Sequence, residues 1–349
     1  MSEDNRKFNW PLVGNSHITD YLGKRIIKDE VQGTYIFNGP DNFGKTSLAL
    51  NFAKILLCEN LKDNKRKSPC DLCHSCRQFN SYISGNEGSA VHGDFHLIKK
   101  EKNKKNISIE QIRDFIKVLS MSSFLGRYKI GIIKHAETLS SEASNALLKT
   151  LEEPRRDVVI ILVSNDFENL PGTIASRSQI LNFYPVKSSE IYDYLVNEHK
   201  ILRSKAKHFS RLSLGRPALA LKFFEDEEFF EKYKKSADVF LNLKKSGINE
   251  RISMISDLLN NKKDEKENLR NVSRILEVWQ GIMRDLIFID FSHFNLIQHE
   301  IFLEKLEEVK RFYNLRDILN LSHFFKQAQI NLQANVNPKL VLEELVIKI

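Results

Sequence analysis

Eight consecutive residues, Gly39-Pro40-Asp41-Asn42-Phe43-Gly44-Lys45-Thr46, limit what this chain can fold into more than any other stretch. They fit G-x-x-x-x-G-K-[ST], a phosphate-binding loop whose glycines let successive backbone N–H groups turn inward on an anion. Lys45 would reach the outer phosphates and Thr46 would offer its hydroxyl to Mg²⁺. The following helix would aim its positive end at the phosphates. The flanks agree with this reading. Residues 34–38 are a β-branched and aromatic strand candidate running into the loop, and Leu48, Phe52, Ile55 and Leu56 recur at helical spacing behind it.

The next hundred residues keep alternating. Ser108 and Gln111 fit a capping box that opens a helix carrying Ile109, Ile112, Ile116 and Leu119. Residues 128–133 read as a buried strand, and 141–153 as a helix stopped by Pro154. The uninterrupted apolar run 158–163 is the kind of strand buried on both faces of a parallel sheet. Strands alternating with helices predict an α/β class for this part. Between them, 80–106 reads as loop, with a short strand near 95–99. Lys99, Lys100, Lys102, Lys104 and Lys105 make it basic, and a solvated face is the plain interpretation. An earlier helix is predicted from 18 to 28.

After Pro185 the strand signals stop. Short helices are predicted over 189–199 and 206–214, with Gly215 at the C′ position and Pro217 opening the next helix. From about residue 225 onward nearly everything reads as helix. Val272, Ile275, Leu276, Trp279, Ile282, Met283 and Leu286 form one apolar stripe. Leu321, Phe324, Phe325 and Ala328 form another, and Asn337-Pro338 caps a last helix with Leu342, Leu345 and Ile349. The lysine- and glutamate-rich stretch 260–267 reads as a solvated turn.

All four cysteines of the chain fall within nineteen positions, as Cys58, Cys70, Cys73 and Cys76, which is a site rather than a disulfide framework. The spacing C-x11-C-x2-C-x2-C brings four thiolates to one centre and suits tetrahedral structural zinc. Unrelated reduced thiols and a redox-active Cys-x-x-Cys pair are the competing readings. His74 lies inside the tight turn as a bystander. At 349 residues the chain is long enough for two or three domains. A net charge of +8 permits a nucleic-acid partner without demonstrating one. The N-terminal residues form no apolar signal region and no stretch approaches the ~20 apolar residues of a membrane span, so a cytoplasmic protein is expected.

Hydrolysis needs an acid at a neighbouring strand end to hold Mg²⁺ and another to position water. The strand expected at 130–133 is followed instead by Lys134 and His135, with Glu137 beyond the strand end. A lysine beside Mg²⁺–ATP repels the metal. The expectation is a site that binds ATP or ADP at most, without turning it over efficiently.

The loop at Gly39 to Thr46 and the four cysteines are followed by Ala143-Ser-Asn-Ala-Leu-Leu-Lys-Thr-Leu-Glu-Glu-Pro154, Ser164-Asn165 and Ser176-Arg177-Ser178. In this order they resemble the AAA+ clamp-loader subunits of bacterial DNA polymerase III. The basic pair at Lys134 and His135, where the gamma/tau motor subunits have Asp-Glu, points to the delta-prime type. The resemblance implies an α/β P-loop AAA+ domain over 1–185 with its parallel sheet and a zinc module at 58–76. It also implies a small helical lid over 186–225 and an all-α collar over 226–349 that joins the subunits. Gly39, Gly44, Lys45, Thr46 and Ser47 would cradle a nucleotide, Ser164 or Asn165 would act as sensor 1, and Arg216 as sensor 2. Arg177 would be an arginine finger reaching a neighbour's ATP site. Ser178 departs from the family's Ser-Arg-Cys, and the intact loop departs from the degraded one best known in delta-prime.

The implied partners are other clamp-loader subunits, the sliding clamp and primer–template DNA, as part of a polymerase holoenzyme and with no membrane involved. An active gamma/tau-type ATPase remains as an alternative, with Glu137 as its nearest acid. A P-loop kinase is a third reading, but no arginine lid or acidic acceptor site is evident.

Overall fold

Strands of four to seven residues form the sheet of this chain, and amphipathic helices cover it. The computed structural model describes residues 7–62, 67–84, 92–101, 104, 106–124, 127–153, 155–259 and 265–349. Pro154, Lys102, Lys105, positions 85–91 of the expected loop and 260–264 of the expected turn lie outside them. The chain forms two compact units, one of Met1–Glu190 with Gly215–Ala218 and one of Ile191–Leu214 with Leu219–Ile349.

The first unit runs α1 (Ser16–Ile27), β1 (Gly33–Asn38), α2 (Lys45–Leu57), α3 (His74–Ser84), β2 (Phe95–Ile98), α4 (Ile109–Ser120), β3 (Lys129–Lys134), α5 (Ser141–Glu152), β4 (Val158–Ser164), α6 (Gly172–Ala175) and β5 (Ser178–Asn182). All five strands are parallel, in the order β2-β3-β4-β1-β5. Central β4 is buried along its whole length, which is why it reads as an unbroken apolar run.

Side chains alternate across the sheet, so the two faces have separate cores. Tyr35, Phe37, Val159 and Ile161 share one with Leu48, Phe52, Ile55 and Leu56 of α2. Ile36, Ile133, Ile160 and Leu162 share the other with Ile112, Phe115 and Leu119 of α4 and Leu147 of α5. Each such large side chain, fully buried, stabilises the fold by about 1.5–3 kcal/mol. Gly131 of β3 leaves room for one of them, because a Cβ there would stand 2.2 Å from the Phe115 ring. The capping box opens α4 as the sequence predicts, with Ser108 and Gln111 each bonding the other's backbone N–H.

Two elements escape the sequence pattern. α3 starts at His74, inside the stretch expected to be a tight turn, and continues to Ser84. β5 is only half-buried along its length and mixes polar with apolar residues, so its strand signal is weak.

Register sets the C-terminal strand ends side by side. Asn38 of β1 pairs with Ser164 of β4, and Lys134 of β3 pairs with Val163. This edge is where open α/β sheets place their ligands.

α7 (Ser188–Asn197) leads to α8 (Arg203–Leu212), which ends with Leu214 in left-handed backbone (φ 51°) ahead of Gly215 (φ 77°). Left-handed backbone therefore begins one residue before the expected C′ glycine. α9 (Pro217–Glu225) opens on Pro217 as predicted, and α10 (Glu227–Leu243), α11 (Ile248–Leu259), α12 (Glu265–Asp290), α13 (Leu303–Lys310), α14 (Leu315–Gln333) and α15 (Pro338–Lys348) follow. α12 contacts α10, α11, α13, α14 and α15, and its predicted stripe from Val272 to Leu286 is the centre of their core. Trp279 packs between Phe240 and Phe325 and donates its indole N–H to the Ser236 carbonyl at 2.9 Å.

A polar cluster interrupts this apolar interior. Asp285 and His299 are both fully buried. The Asp285 carboxylate accepts from the backbone N–H groups of Gln298, at 3.1 Å, and His299, at 2.7 Å. It also meets His299 Nδ1 at 2.7 Å, while His299 Nε2 lies 2.8 Å from the Tyr233 hydroxyl.

Candidate functional site

β1 delivers the loop to the C-terminal edge of the sheet, and left-handed backbone makes its turn. The φ angle is 146° at Gly39, 68° at Asn42 and 86° at Gly44. A Cβ at Gly39 would stand 3.0 Å from the Phe183 carbonyl oxygen, so both space and backbone ask for glycine. The Gly39 N–H donates to the Ser164 carbonyl at 3.3 Å. Just before it, Asn38 accepts from the Phe167 N–H at 3.1 Å and donates to Asn182 Oδ1 at 2.9 Å. The loop is thereby tied to both neighbouring strands, and α2 starts at Lys45 with Thr46 half-buried and Ser47 exposed in its first turn.

Lys45 is buried and bends back over the loop. Its ammonium donates to the Gly39 carbonyl, to the Pro40 carbonyl at 2.6 Å and to Asn165 Oδ1 at 3.0 Å. Burial pulls its pKa down to about 8, against the attraction of Asp41 and Glu137. Ser164, fully buried, accepts from the Asp166 N–H at 3.2 Å. Lys45 and Asn165 thus meet directly, while Ser164 reaches the loop through its carbonyl.

The segment that carries Arg216 comes to the same loop through the backbone of Ala218. Gly215–Ala218 belongs with the first unit, and the Ala218 N–H donates to the Asn42 carbonyl at 3.2 Å. The loop, Ser164, Asn165 and the segment that carries Arg216 are thus gathered at one edge of the sheet.

At the end of β3 stands Lys134, half-buried. Burial foremost, then repulsion from Lys99, lowers its pKa against the attraction of Asp41. An ammonium thus occupies the strand end where a Mg²⁺ site needs a carboxylate, and the residues there do not fit that metal.

Glu137 is closer than position counting suggests. His135 adopts left-handed backbone (φ 55°), and the turn Ala136–Thr138 folds back toward the sheet. The Glu137 carboxylate accepts from the Asn165 N–H at 3.3 Å and lies 3.3 Å from His135 Nδ1. Burial opposes its ionisation, but hydrogen bonds from His135, its own backbone N–H and Ser164 outweigh that and hold the carboxyl below its ordinary range. The sequence signal for this was a residue type tolerant of positive φ at position 135, which is easy to pass over.

Arg177 lies between α6 and β5, away from these contacts. Its guanidinium pairs with Glu152 at the end of α5 at 3.0 Å and donates to the Thr173 carbonyl at 3.0 Å. The side chain is 37% exposed.

The four cysteines converge as their spacing suggests, with all sulfurs within 4.8 Å of one another. A tetrahedron of ~2.3 Å metal–sulfur bonds would set them about 3.8 Å apart, so a small contraction closes it. Cys58 caps the end of α2, and the other three are on the loop and first turn of α3. Backbone N–H groups of Cys70, Cys73 and Cys76 donate to the sulfurs of Cys58, Cys70 and Cys73 at 3.3–3.4 Å. These bonds orient the sulfurs as outer partners orient metal ligands. An ion pair of Lys54 with Asp71 pins the cluster to α2. His74 supplies no ligand atom to the group. Among the described residues, no helix is long and apolar enough to cross a membrane.

A family model described as "DNA polymerase III, delta subunit" matches residues 14–187. The chain is 31% identical over 217 residues to DNA polymerase III subunit delta' of Bacillus subtilis, a match covering 61% of this chain and 60% of that one. It is 32% identical over 180 residues to DNA polymerase III subunit tau of Bacillus subtilis, covering 52% of this chain and 30% of that one. The matched part spans less than two thirds of either relative. Among solved structures, a DNA polymerase III gamma-subunit-related protein of Thermotoga maritima is similar at 16% identity and a TM-score of 0.49, covering 93% of this chain and 97% of that one.

Proposed function

We propose that the chain is a clamp-loader subunit of DNA polymerase III and that it acts as a delta-prime-type subunit. In that role it helps to load the sliding clamp onto primed DNA, assembled with other AAA+ subunits through its helical collar at 226–349. It binds ATP or ADP at most, and it supplies Arg177 to the ATP site of a neighbour. One observation carries this reading: beside an intact phosphate loop, the end of β3 presents the Lys134 ammonium in place of a metal-binding carboxylate. Without that carboxylate the pocket holds phosphates but lacks the Mg²⁺ that offsets charge during phosphoryl transfer.

A second reading, an active tau-type ATPase, draws on Glu137, whose carboxylate reaches Asn165 beside Lys45. Steady-state ATP turnover separates the two when measured for the full chain alone and beside candidate tau-type subunits.

The cysteine cluster fits a structural Zn²⁺. Four thiolates close the coordination sphere, leaving no position for substrate. Purified chain is expected to carry about one zinc per molecule, and Cys73→Ser to lose it together with order in the segment around α3. The check is elemental analysis paired with hydrogen exchange across 58–84. Wild-type protein that stays zinc-free, yet is as protected there, would remove the metal from the account.

A further inference from the structure

Two lysines face the acids of the phosphate-loop region. The Lys45 ammonium feels Asp41 and Glu137, and the Lys134 ammonium feels the like charge of Lys99 and the opposite charge of Asp41. Lys134 pairs in register with Val163, next to Ser164, and Ser164 pairs with Asn38 where β1 enters the loop. The second ammonium therefore stands at the strand edge that serves the loop, at the place a divalent cation would take. Both lysines are at least half-buried, and a partly desolvated ammonium gains from a close anion.

We propose that Lys134 replaces the divalent cation, so that the pocket of Lys45 binds the polyphosphate of a nucleotide without Mg²⁺. Lys45 contacts the outer phosphate oxygens from the loop side. Lys134 neutralises the charge that Mg²⁺ otherwise covers. A bound Mg²⁺ would meet like charge at the end of β3. The inference rests on the nucleotide-binding part of the reading above and extends it to the state of the ligand, metal-free ATP or ADP. Such a nucleotide serves as a fixed part of the subunit and is not a fuel.

The test is fluorescence anisotropy of mant-ATP on the full chain, in excess EDTA and in millimolar Mg²⁺. Wild type is expected to bind with affinities that differ by less than about fivefold between the two buffers. Lys134→Met, which keeps the length of the side chain, is expected to weaken binding in EDTA by more than about fivefold, and Lys134→Arg to bind as wild type. Circular dichroism checks that the variants are folded, and should Lys134→Met not fold, the wild-type comparison still decides. Wild-type binding that collapses in EDTA, or Lys134→Met that binds there like wild type, overturns the substitution of lysine for metal and leaves nucleotide binding standing. No binding in either buffer removes the nucleotide reading and this inference with it.

Discussion

Replacing Arg177 by alanine is expected to lower the ATPase of a reconstituted clamp-loader complex by about 10³-fold, with assembly intact. A guanidinium aimed at a transferring phosphoryl group offsets charge that develops only in the transition state, so its removal falls on turnover and not on binding. Here the guanidinium is held at rest by Glu152 at 3.0 Å and by the Thr173 carbonyl. A surface ion pair of this kind contributes only about 0–1 kcal/mol, so moving the finger to a neighbour's phosphate costs little. Because the side chain is partly exposed and outside both cores of the first unit, alanine should leave the fold unchanged. Size-exclusion chromatography of the complex and steady-state ATPase at saturating ATP are the two measurements. Unchanged turnover would sink the finger assignment, and so would a loss explained by failed assembly.

The second large effect lies in the helical unit and concerns stability. Asp285→Ala should cost about 3–5 kcal/mol, because it strands several buried donors at about 1–3 kcal/mol each. Asp285 is fully buried and answers four donors: the N–H groups of Gln298 and His299, the His299 ring, and the partly exposed Arg284 guanidinium at 3.3 Å. Alanine leaves the two backbone N–H groups and the His299 ring without their acceptor in an interior that water does not reach. The same network fixes the segment between α12 and α13, because Gln298 and His299 lie there and His299 meets Tyr233 of α10. Urea denaturation followed by circular dichroism reads the change. A shift below about 1 kcal/mol would mean that the segment finds other acceptors, and that the cluster is not a lock on the bundle.

What could be read from the sequence was what adjacency encodes. The phosphate loop is eight neighbouring residues whose backbone demands are visible as glycines, and the capping box needs only Ser108 and Gln111. The cysteine cluster is equally local, because two-residue gaps on a turn bring thiolates together whatever surrounds them. The stripe on α12 shows because a central helix must hide one face from water.

What stayed hidden depends on residues brought together from afar or on a single backbone angle. Glu137 returns to Asn165 only because His135 takes φ 55°, and counting along the strand cannot foresee that. Asn38 looks like an ordinary strand end until Phe167 and Asn182 close on it. β5 lacks a clear alternation because it is an edge strand and half-buried. The cluster of Tyr233, Asp285 and His299 joins α10, α12 and the turn after it, and no short pattern announces it.

In the proposed role this chain holds nucleotide without spending it and acts on a neighbour's site instead. The most direct test is steady-state ATP turnover by the purified full chain, with Lys45→Ala as background and Glu137→Gln beside it, before and after adding a tau-type subunit. Turnover by the chain alone is expected to be indistinguishable from that of Lys45→Ala, and to rise on mixing in a way that needs Arg177. Turnover by the chain alone that requires both Lys45 and Glu137 would contradict this role and make the chain a motor subunit.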